Sequence, residues 1–251
     1  MLKRRIIPIQ LLSGDRLVKT MRFSSPRDVG DPVKSSRVYS DNDADELLIL
    51  QIDRGDGALE NLHSKVMQIA SECFAPLTAG GAITKPSDAL RLFSAGADKV
   101  VLNSICFTDL EIISDIAKFA GSQAVVVALD VKFEKGNYVL YSDGGRAAEP
   151  ISLEKHIANV IDSGAGELLV QSIDHDGVMK GYDLTLLDAV CKACSLPVII
   201  AGGAGNFIHL KEAFQRGADA VACGSIFNFG DNSPLRAKAF LKNYGVPLKK
   251  I

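Results

Sequence analysis

Long hydrophobic runs are missing from this chain. The longest, around Ala124 to Leu129, is the length of a strand and falls far short of the ~18 apolar residues of a membrane helix, so a helical span is excluded. A charge excess of either sign is missing as well: 28 Lys+Arg face 30 Asp+Glu, a formal net charge of −2. That balance leaves no electrostatic footprint for nucleic acid or an acidic membrane face. Cysteine is scarce, and five residues (Cys73, Cys106, Cys191, Cys194, Cys223) are too few and too odd in number for a disulfide framework. Cys191 and Cys194 form a C-x-x-C, but no second C-x-x-C or H-x-x-x-H completes a tetrahedral zinc site. The pair falls inside a helical pattern from Asp188 to Cys194, and we read both as small helix residues in packing positions. Nucleotide signatures fail too. The runs starting at Gly203 and Gly55 both lack the last glycine of G-x-G-x-x-G, and neither a P-loop G-K-S/T nor H-E-x-x-H occurs. The expectation is therefore no metal and no cofactor. Lys3-Arg-Arg5 before Ile6-Ile7 imitates a secretory leader, but Pro8 and Gln10 interrupt it and no small-residue cleavage site follows, so a cytoplasmic location is expected.

What is present is a core. With 251 residues and 47% apolar composition, the chain is one large domain or two small ones. Runs rich in Val, Ile and Leu recur at Arg5 to Ile9, Glu46 to Ile52, Pro76 to Ala79, Lys99 to Asn103, Val125 to Asp130, Glu167 to Ser172, Pro197 to Ala201 and Ala220 to Cys223. Amphipathic helical patterns lie between them, as at Ser87 to Ser94, Asp109 to Phe119, Leu153 to Ile161 and Leu210 to Arg216. Eight such alternations predict βα units and a parallel sheet. Two connections are long. Ser13 to Gly30 reads as a loop carrying Arg16, Lys19, Arg22 and Arg27, and Val131 to Arg146 reads as a hairpin turning at Lys135-Gly-Asn137. Long loops in a compact domain are usually functional.

An internal repeat decides the architecture. Ala44 to Asp53 aligns without a gap on Ala165 to Asp174, and Pro76 to Ser104 on Pro197 to Ser225, both at an offset of 121 residues. The second window matches Gly81 with Gly202, Phe93 with Phe214, Gly96-Ala-Asp98 with Gly217-Ala-Asp219, and Ser104 with Ser225. Two (β/α)4 halves, about 1–121 and 122–251, predict a single α/β domain over 1–251, the TIM (β/α)8 barrel, whose usual size is about 250 residues. A doubly wound open sheet would leave the duplication unexplained.

In that barrel the active site lies at the carboxyl ends of the strands. Gly81-Ala82 follow the third strand and Gly202-Gly203 the seventh, while Asn103-Ser104 and Gly224-Ser225 end the fourth and eighth. Such turns let backbone N–H groups approach an anion, with help from a following helix N-terminus and from Ser hydroxyls. Two phosphate sites facing each other across the mouth are expected, with Lys19 as a further binding candidate and a substrate phosphorylated at both ends. Asp130 ends the fifth strand as a candidate acid or base, and Asp176 is a second possibility. Asp53 and Asp174 share the repeat and a structural role. His175 lies on the catalytic face, whereas His63, His156 and His209 fall on helical patterns. At the opposite end Arg5, Glu46, Lys99 and Glu167 each begin a strand, two cations and two anions that can close a ring. By spacing alone that ring is a salt-bridge belt.

The residues also carry a family resemblance. Lys3-Arg-Arg-Ile-Ile7, Arg27-Asp28, Gly30-Asp-Pro32, Asp45-Glu-Leu47, Gly96-Ala-Asp-Lys99, Gly121-Ser-Gln123, Asp143-Gly-Gly-Arg146, Asp176-Gly177, Gly181-Tyr-Asp183 and Gly202-Gly-Ala-Gly205 resemble the cyclase subunits of imidazole glycerol phosphate synthase, the HisF family, nearly end to end. The resemblance implies a TIM barrel with twin phosphate sites and a HisH-like glutaminase on its N-terminal face, delivering ammonia through the barrel interior. It turns the ring of Arg5, Glu46, Lys99 and Glu167 from a belt into an ammonia gate.

Departures from the family pattern cluster at the mouth. The first strand of the family ends in a catalytic aspartate, and Leu11 stands at that position here. Gln51 replaces an aspartate, Gln171 a hydroxyl residue, Val178 a threonine and Ala82 a glycine. Leucine moves no proton, and losing one carboxylate of an acid/base pair forfeits roughly 10²- to 10⁴-fold of its contribution. The resemblance therefore points to a diverged paralogue that supplies ammonia for amidination of an acetamido sugar in surface-polysaccharide synthesis. One alternative is an authentic histidine-pathway cyclase in which Gln10 or Asp15 substitutes for the missing aspartate. Another is a non-catalytic conduit to an ATP-using amidotransferase.

Overall fold

The computed structural model describes residues 3–249. Strands β1 (Arg5–Ser13), β2 (Arg16–Met21) and β3 (Ser24–Gly30) lead into helix α1 (Pro32–Asp41). Then β4 (Leu47–Gln51), α2 (Ala58–Glu72), β5 (Leu77–Gly80), α3 (Pro86–Ser94), β6 (Lys99–Leu102) and α4 (Glu111–Ala120) alternate. The second part contains β7 (Val125–Glu134), β8 (Asn137–Ser142), β9 (Ala147–Ala148), α5 (Leu153–Asp162), β10 (Glu167–Ser172) and α6 (Leu184–Ala193). It ends with β11 (Val198–Ala201), α7 (Phe207–Gln215), β12 (Ala220–Cys223), α8 (Ser225–Asn228) and α9 (Pro234–Lys242).

Eight strands pair in parallel in the order β1, β4, β5, β6, β7, β10, β11, β12, and β12 pairs back onto β1, closing the TIM barrel. Alternation along each strand divides the core in two. Ile6, Leu47, Ile49, Val100, Val125, Val127, Leu168 and Ile200 face the helices, while Ile7, Ile9, Leu48, Leu50, Val101, Val126, Ala128, Leu169 and Ile199 fill the interior. Strands buried on both faces read as continuous apolar runs, which is why they were visible in the sequence. The shared Gly-Ala-Asp motif has a local function. Asp98 accepts from the Leu77 N–H at 2.8 Å and Asp219 from the Val198 N–H at 3.1 Å, fixing where β5 and β11 begin.

Two expectations need correction. Ser13 to Gly30 is no loop: β2 returns antiparallel on the upper part of β1 and β3 pairs with β2. Its alternation is hidden because the outer strand is mostly exposed, with Arg27 and Asp28 in β3. The C-x-x-C helix spans Leu184–Ala193, so Cys194 is its extended cap and only Cys191 is helical. The second hairpin forms as read, β7 running past Asp130 to Glu134. Lys135 (φ 50°) and Gly136 (φ 88°) make the two-residue turn, the double left-handed geometry that matches strand twist.

Candidate functional site

The floor of the barrel is a closed ring of four charges. Arg5 donates from Nη1 to Glu46 Oε2 at 2.7 Å and from Nη2 to Glu167, and Lys99 Nζ donates to Glu46 Oε2 at 3.0 Å and Glu167 Oε2 at 2.9 Å. Thr78 Oγ1 adds a bond to Glu46 Oε1 at 2.6 Å. Burial alone would push Glu46 up, but Lys99, Arg5 and the Thr78 hydroxyl together hold it below the ordinary carboxylate value. Arg5 shows the converse: burial works against its charge, and Glu167 and Glu46 outweigh it. Above this ring Ile7, Leu48, Leu169 and Ile199 fill the interior, so the route expected through the barrel is a packed apolar layer over a closed floor.

At the other end a cavity of about 1020 Å³ opens between the strand ends. Lys19, Gly81, Ala82, Asn103, Ser104, Asp130, Asp176, Gly202, Gly203, Gly224 and Ser225 all line it, as do Leu11, Gln51 and Gln171. Asp130 is buried on top of the apolar column Val126–Ala128, and Gln171 Nε2 donates to its Oδ1 at 3.2 Å. Burial pushes its carboxyl up to about 7, Asp176 adding repulsion, while Gln171 and Arg54 offset only part. Asp176 is itself raised by burial, against the Thr20 hydroxyl at 2.7 Å, the Phe23 N–H at 3.3 Å and the charge of Lys19. Lys19 descends from β2 to donate to the Ile9 carbonyl at 2.9 Å, and burial lowers it to about 8. A Cβ on Gly224 would stand 2.1 Å from Lys19 Nζ, so the lysine occupies the space that glycine leaves.

The phosphate candidates fall on the ends of β5 and β6 and of β11 and β12, which are diametrically opposed in the strand order. Gly81 (φ 81°) and Gly202 (φ 86°) turn the chain alike, and a Cβ on Gly81 would meet the Gln51 carbonyl at 2.1 Å. Ala82 holds the left-handed φ of 57° that its methyl disfavours. After Gly81 and Gly202 the chain leads to α3 and α7, whereas after Asn103 and Gly224 only a 3₁₀ turn at Ser104–Phe107 and the four residues of α8 follow, so the dipoles there are small. Ser104 Oγ is engaged by the Asp143 N–H at 2.9 Å.

Several candidates are placed elsewhere. Gln10 is fully buried on the outer side of β1, its amide oxygen accepting from the Ser36 hydroxyl at 2.8 Å and its nitrogen donating to the Pro32 carbonyl at 3.1 Å, and Asp15 is exposed in the β1–β2 turn. Neither faces the site, and β1 itself holds no Asp or Glu. His175 bonds the Gly181 carbonyl at 2.8 Å outside the cavity lining. His156 is buried and stacked on Phe107, and His209 receives the Gly205 N–H at 3.1 Å. Asp53 and Asp174 do share a role: Asp53 accepts from Ser13 Oγ and the Gly14 N–H, Asp174 from the Phe133 N–H, each clamping the extension of a neighbouring strand. Sequence reasoning missed the lid formed by the first extension. Arg22 N–H reaches the Asp176 carbonyl at 2.9 Å and Phe23 covers Gly145, contacts between segments over 120 residues apart with no local signature. Among the described residues no group of three or more His, Cys, Asp or Glu is placed to hold a metal, and no helix is long and apolar enough to cross a membrane.

Comparison with known proteins agrees with this geometry. Residues 5–233 match the family model described as histidine biosynthesis protein. The chain is 40% identical over 250 residues to the imidazole glycerol phosphate synthase subunit HisF of Chlorobium limicola, covering 99% of this chain and 100% of that one. The subunits of the same name from Bacillus pumilus and Bacillus subtilis are 40% and 39% identical over 252 residues, with the same coverage. A barrel carrying this mouth and this floor, matched along almost its whole length, thus belongs to the histidine biosynthesis protein family, among its HisF-like cyclase subunits.

Proposed function

We propose that this chain is the synthase subunit of a glutamine amidotransferase complex, receiving ammonia from a HisH-like glutaminase docked on the barrel floor. Its substrate is a phosphorylated small molecule held between the turns at Gly81-Ala82, Asn103-Ser104 and at Gly202-Gly203, Gly224-Ser225. Its reaction is amidination of an acetamido sugar for surface polysaccharide. The observation that carries this reading is the contrast between the two ends: a complete ring of Arg5, Glu46, Lys99 and Glu167 at the floor, and Leu11 on the strand directly across the barrel from Asp130. Retention of all four ring members with loss of the facing carboxylate fits preserved ammonia handling and altered chemistry. In this reading ammonia enters when Lys99 or Arg5 swings off its carboxylates and then crosses the apolar layer as the neutral molecule.

A second reading has its own support. Identity of 39–40% to subunits named for imidazole glycerol phosphate synthase favours the histidine-pathway cyclase, with Asp130 and Asp176 sharing the proton traffic. Purified protein given the bis-phosphorylated ribosyl substrate and ammonium salt separates the two: turnover sinks the polysaccharide role. No turnover, with an ATP-using amidotransferase co-purifying, makes the chain a conduit. For the gate, Lys99→Met is expected to depress glutamine-dependent activity of the complex more than ammonium-dependent activity, and equal losses reject it.

A further inference from the structure

We propose that Gln171 and Leu11 together poise Asp130 as a single carboxyl that both gives and takes the proton in this mouth, with Gln171 as its positioning residue. The proposal rests on the reading of the mouth as a site where ammonia is added, and it concerns how one acid manages without a partner.

The geometry has three parts. Gln171 and Asp130 are register partners on β10 and β7, so the amide is held beside the carboxyl by the sheet itself, and its Nε2 fixes Oδ1 at 3.2 Å. Gln171 is 8% and Asp130 7% exposed, so the bond is sheltered from water. Across the barrel, Leu11 packs against the interior cluster that includes Ile9, Leu50 and Ala128, presenting hydrocarbon where a polar group would draw water in. Burial of an acid next to hydrocarbon favours its neutral form.

The charges around Asp130 do not undo this. Just after β6, the uncharged Asn103 amide donates to the Ala128 carbonyl at 3.2 Å and weakly favours the charged form of Asp130. The Arg54 guanidinium, after β4, attracts a negative charge on Asp130 and offsets part of the effect of burial; it also faces Asp143 at 3.6 Å. Asp176, after β10, repels the charge. From β8, the Tyr141 hydroxyl is bound to Glu134 at 2.7 Å, and Lys132 of β7 lies over the Tyr141 ring. The result is a carboxyl pushed up to about 7, close to the value at which one group serves equally as acid and base.

The proton cycle then closes on one residue. As the ammonia lone pair forms the N–C bond, the carbonyl π pair moves to oxygen, which takes the proton from Asp130. The carboxylate removes a proton from the new ammonium nitrogen, leaving a tetrahedral aminol, and Asp130 ends as it began. A second turn completes the amidine: Asp130 protonates the hydroxyl, which leaves as water while the nitrogen lone pair forms the C=N bond, and the carboxylate takes the surplus proton from nitrogen.

The test needs neither substrate nor partner, so failure of the functional reading leaves it intact. Full-length protein labelled with ¹³C at the aspartate carboxyl carbons is titrated by NMR from about pH 4 to 9, and Asp130→Asn identifies the signal. A midpoint near 7 is expected. Gln171→Met removes the donated bond and raises the midpoint by about one unit or more, a tenfold gain in proton affinity. Leu11→Asn wets the opposite wall and lowers the midpoint by about half a unit or more. If the Met variant fails to fold, Gln171→Thr, too short to reach Oδ1, reads the same upward shift. A wild-type midpoint below about 6, or no shift in the expected direction on changing Gln171 or Leu11, overturns the proposal.

Discussion

At the floor of the barrel, Arg5, Glu46, Lys99 and Glu167 satisfy one another, and each carboxylate meets two cations. At the mouth, buried Asp130 accepts a hydrogen bond from the neutral Gln171 amide, and Lys19 Nζ donates to a single carbonyl. The same barrel thus keeps charges at one end by pairing them and tunes them at the other by withholding partners. Paired charges build a closed, defined structure. Unpaired buried groups are costly to the fold and useful to chemistry, because their protons sit near the pH of the cell.

The comparison can be broken most forcefully at the floor. Glu167→Leu leaves Arg5 and Lys99 to share Glu46, and a urea midpoint should report a loss of about 3 kcal/mol. Acid should act there as well. Glu46 is held below its ordinary value, so its contribution is full above 4.5 and is lost as pH falls through the lower folded value. A stability profile flat across that range would remove the floor from the argument.

At the mouth the sign reverses. The folded carboxyl of Asp130 is raised from 3.8 to about 7, so stability is highest below 3.8 and declines as pH rises through 7. Asp130→Asn should therefore stabilise the protein more at pH 8 than at pH 5, by about 3 kcal/mol in thermal unfolding. Lys19 is lowered from 10.5 to about 8, so its penalty is largest below 8, and Lys19→Met is expected to raise the melting temperature at pH 7 while weakening binding of inorganic phosphate. A smaller effect belongs to Ala82, where Ala82→Gly should relieve about 1 kcal/mol of left-handed backbone strain. Smallest is the C-x-x-C pair. Replacing Cys191 and Cys194 with Ser should change stability by no more than about 0.5 kcal/mol and leave zinc uptake, measured by equilibrium dialysis, unaltered.

Much of this was legible in order along the chain. Barrel strands such as β10 and β12 coincide with their apolar runs because burial on both faces demands Val, Ile and Leu at successive positions. The ring was visible as four charged residues at strand starts, since parallel strands of one barrel bring their N-terminal ends to one face. β2 and β3 were invisible because an extension exposed on one side carries mixed polar and charged residues.

The amino-acid sequence by itself determined the barrel, the glycine turns at its rim and the four charges of its floor, because each is written as a residue type at a fixed spacing. Only the tertiary structure decided that Gln10 and Asp15 face away from the site, that the floor is shut, that Lys19 lies in the space left by Gly224 and that Gln171 holds Asp130. Those facts depend on dehydration and on distances between groups remote in the chain, and no residue carries its own dielectric surroundings with it.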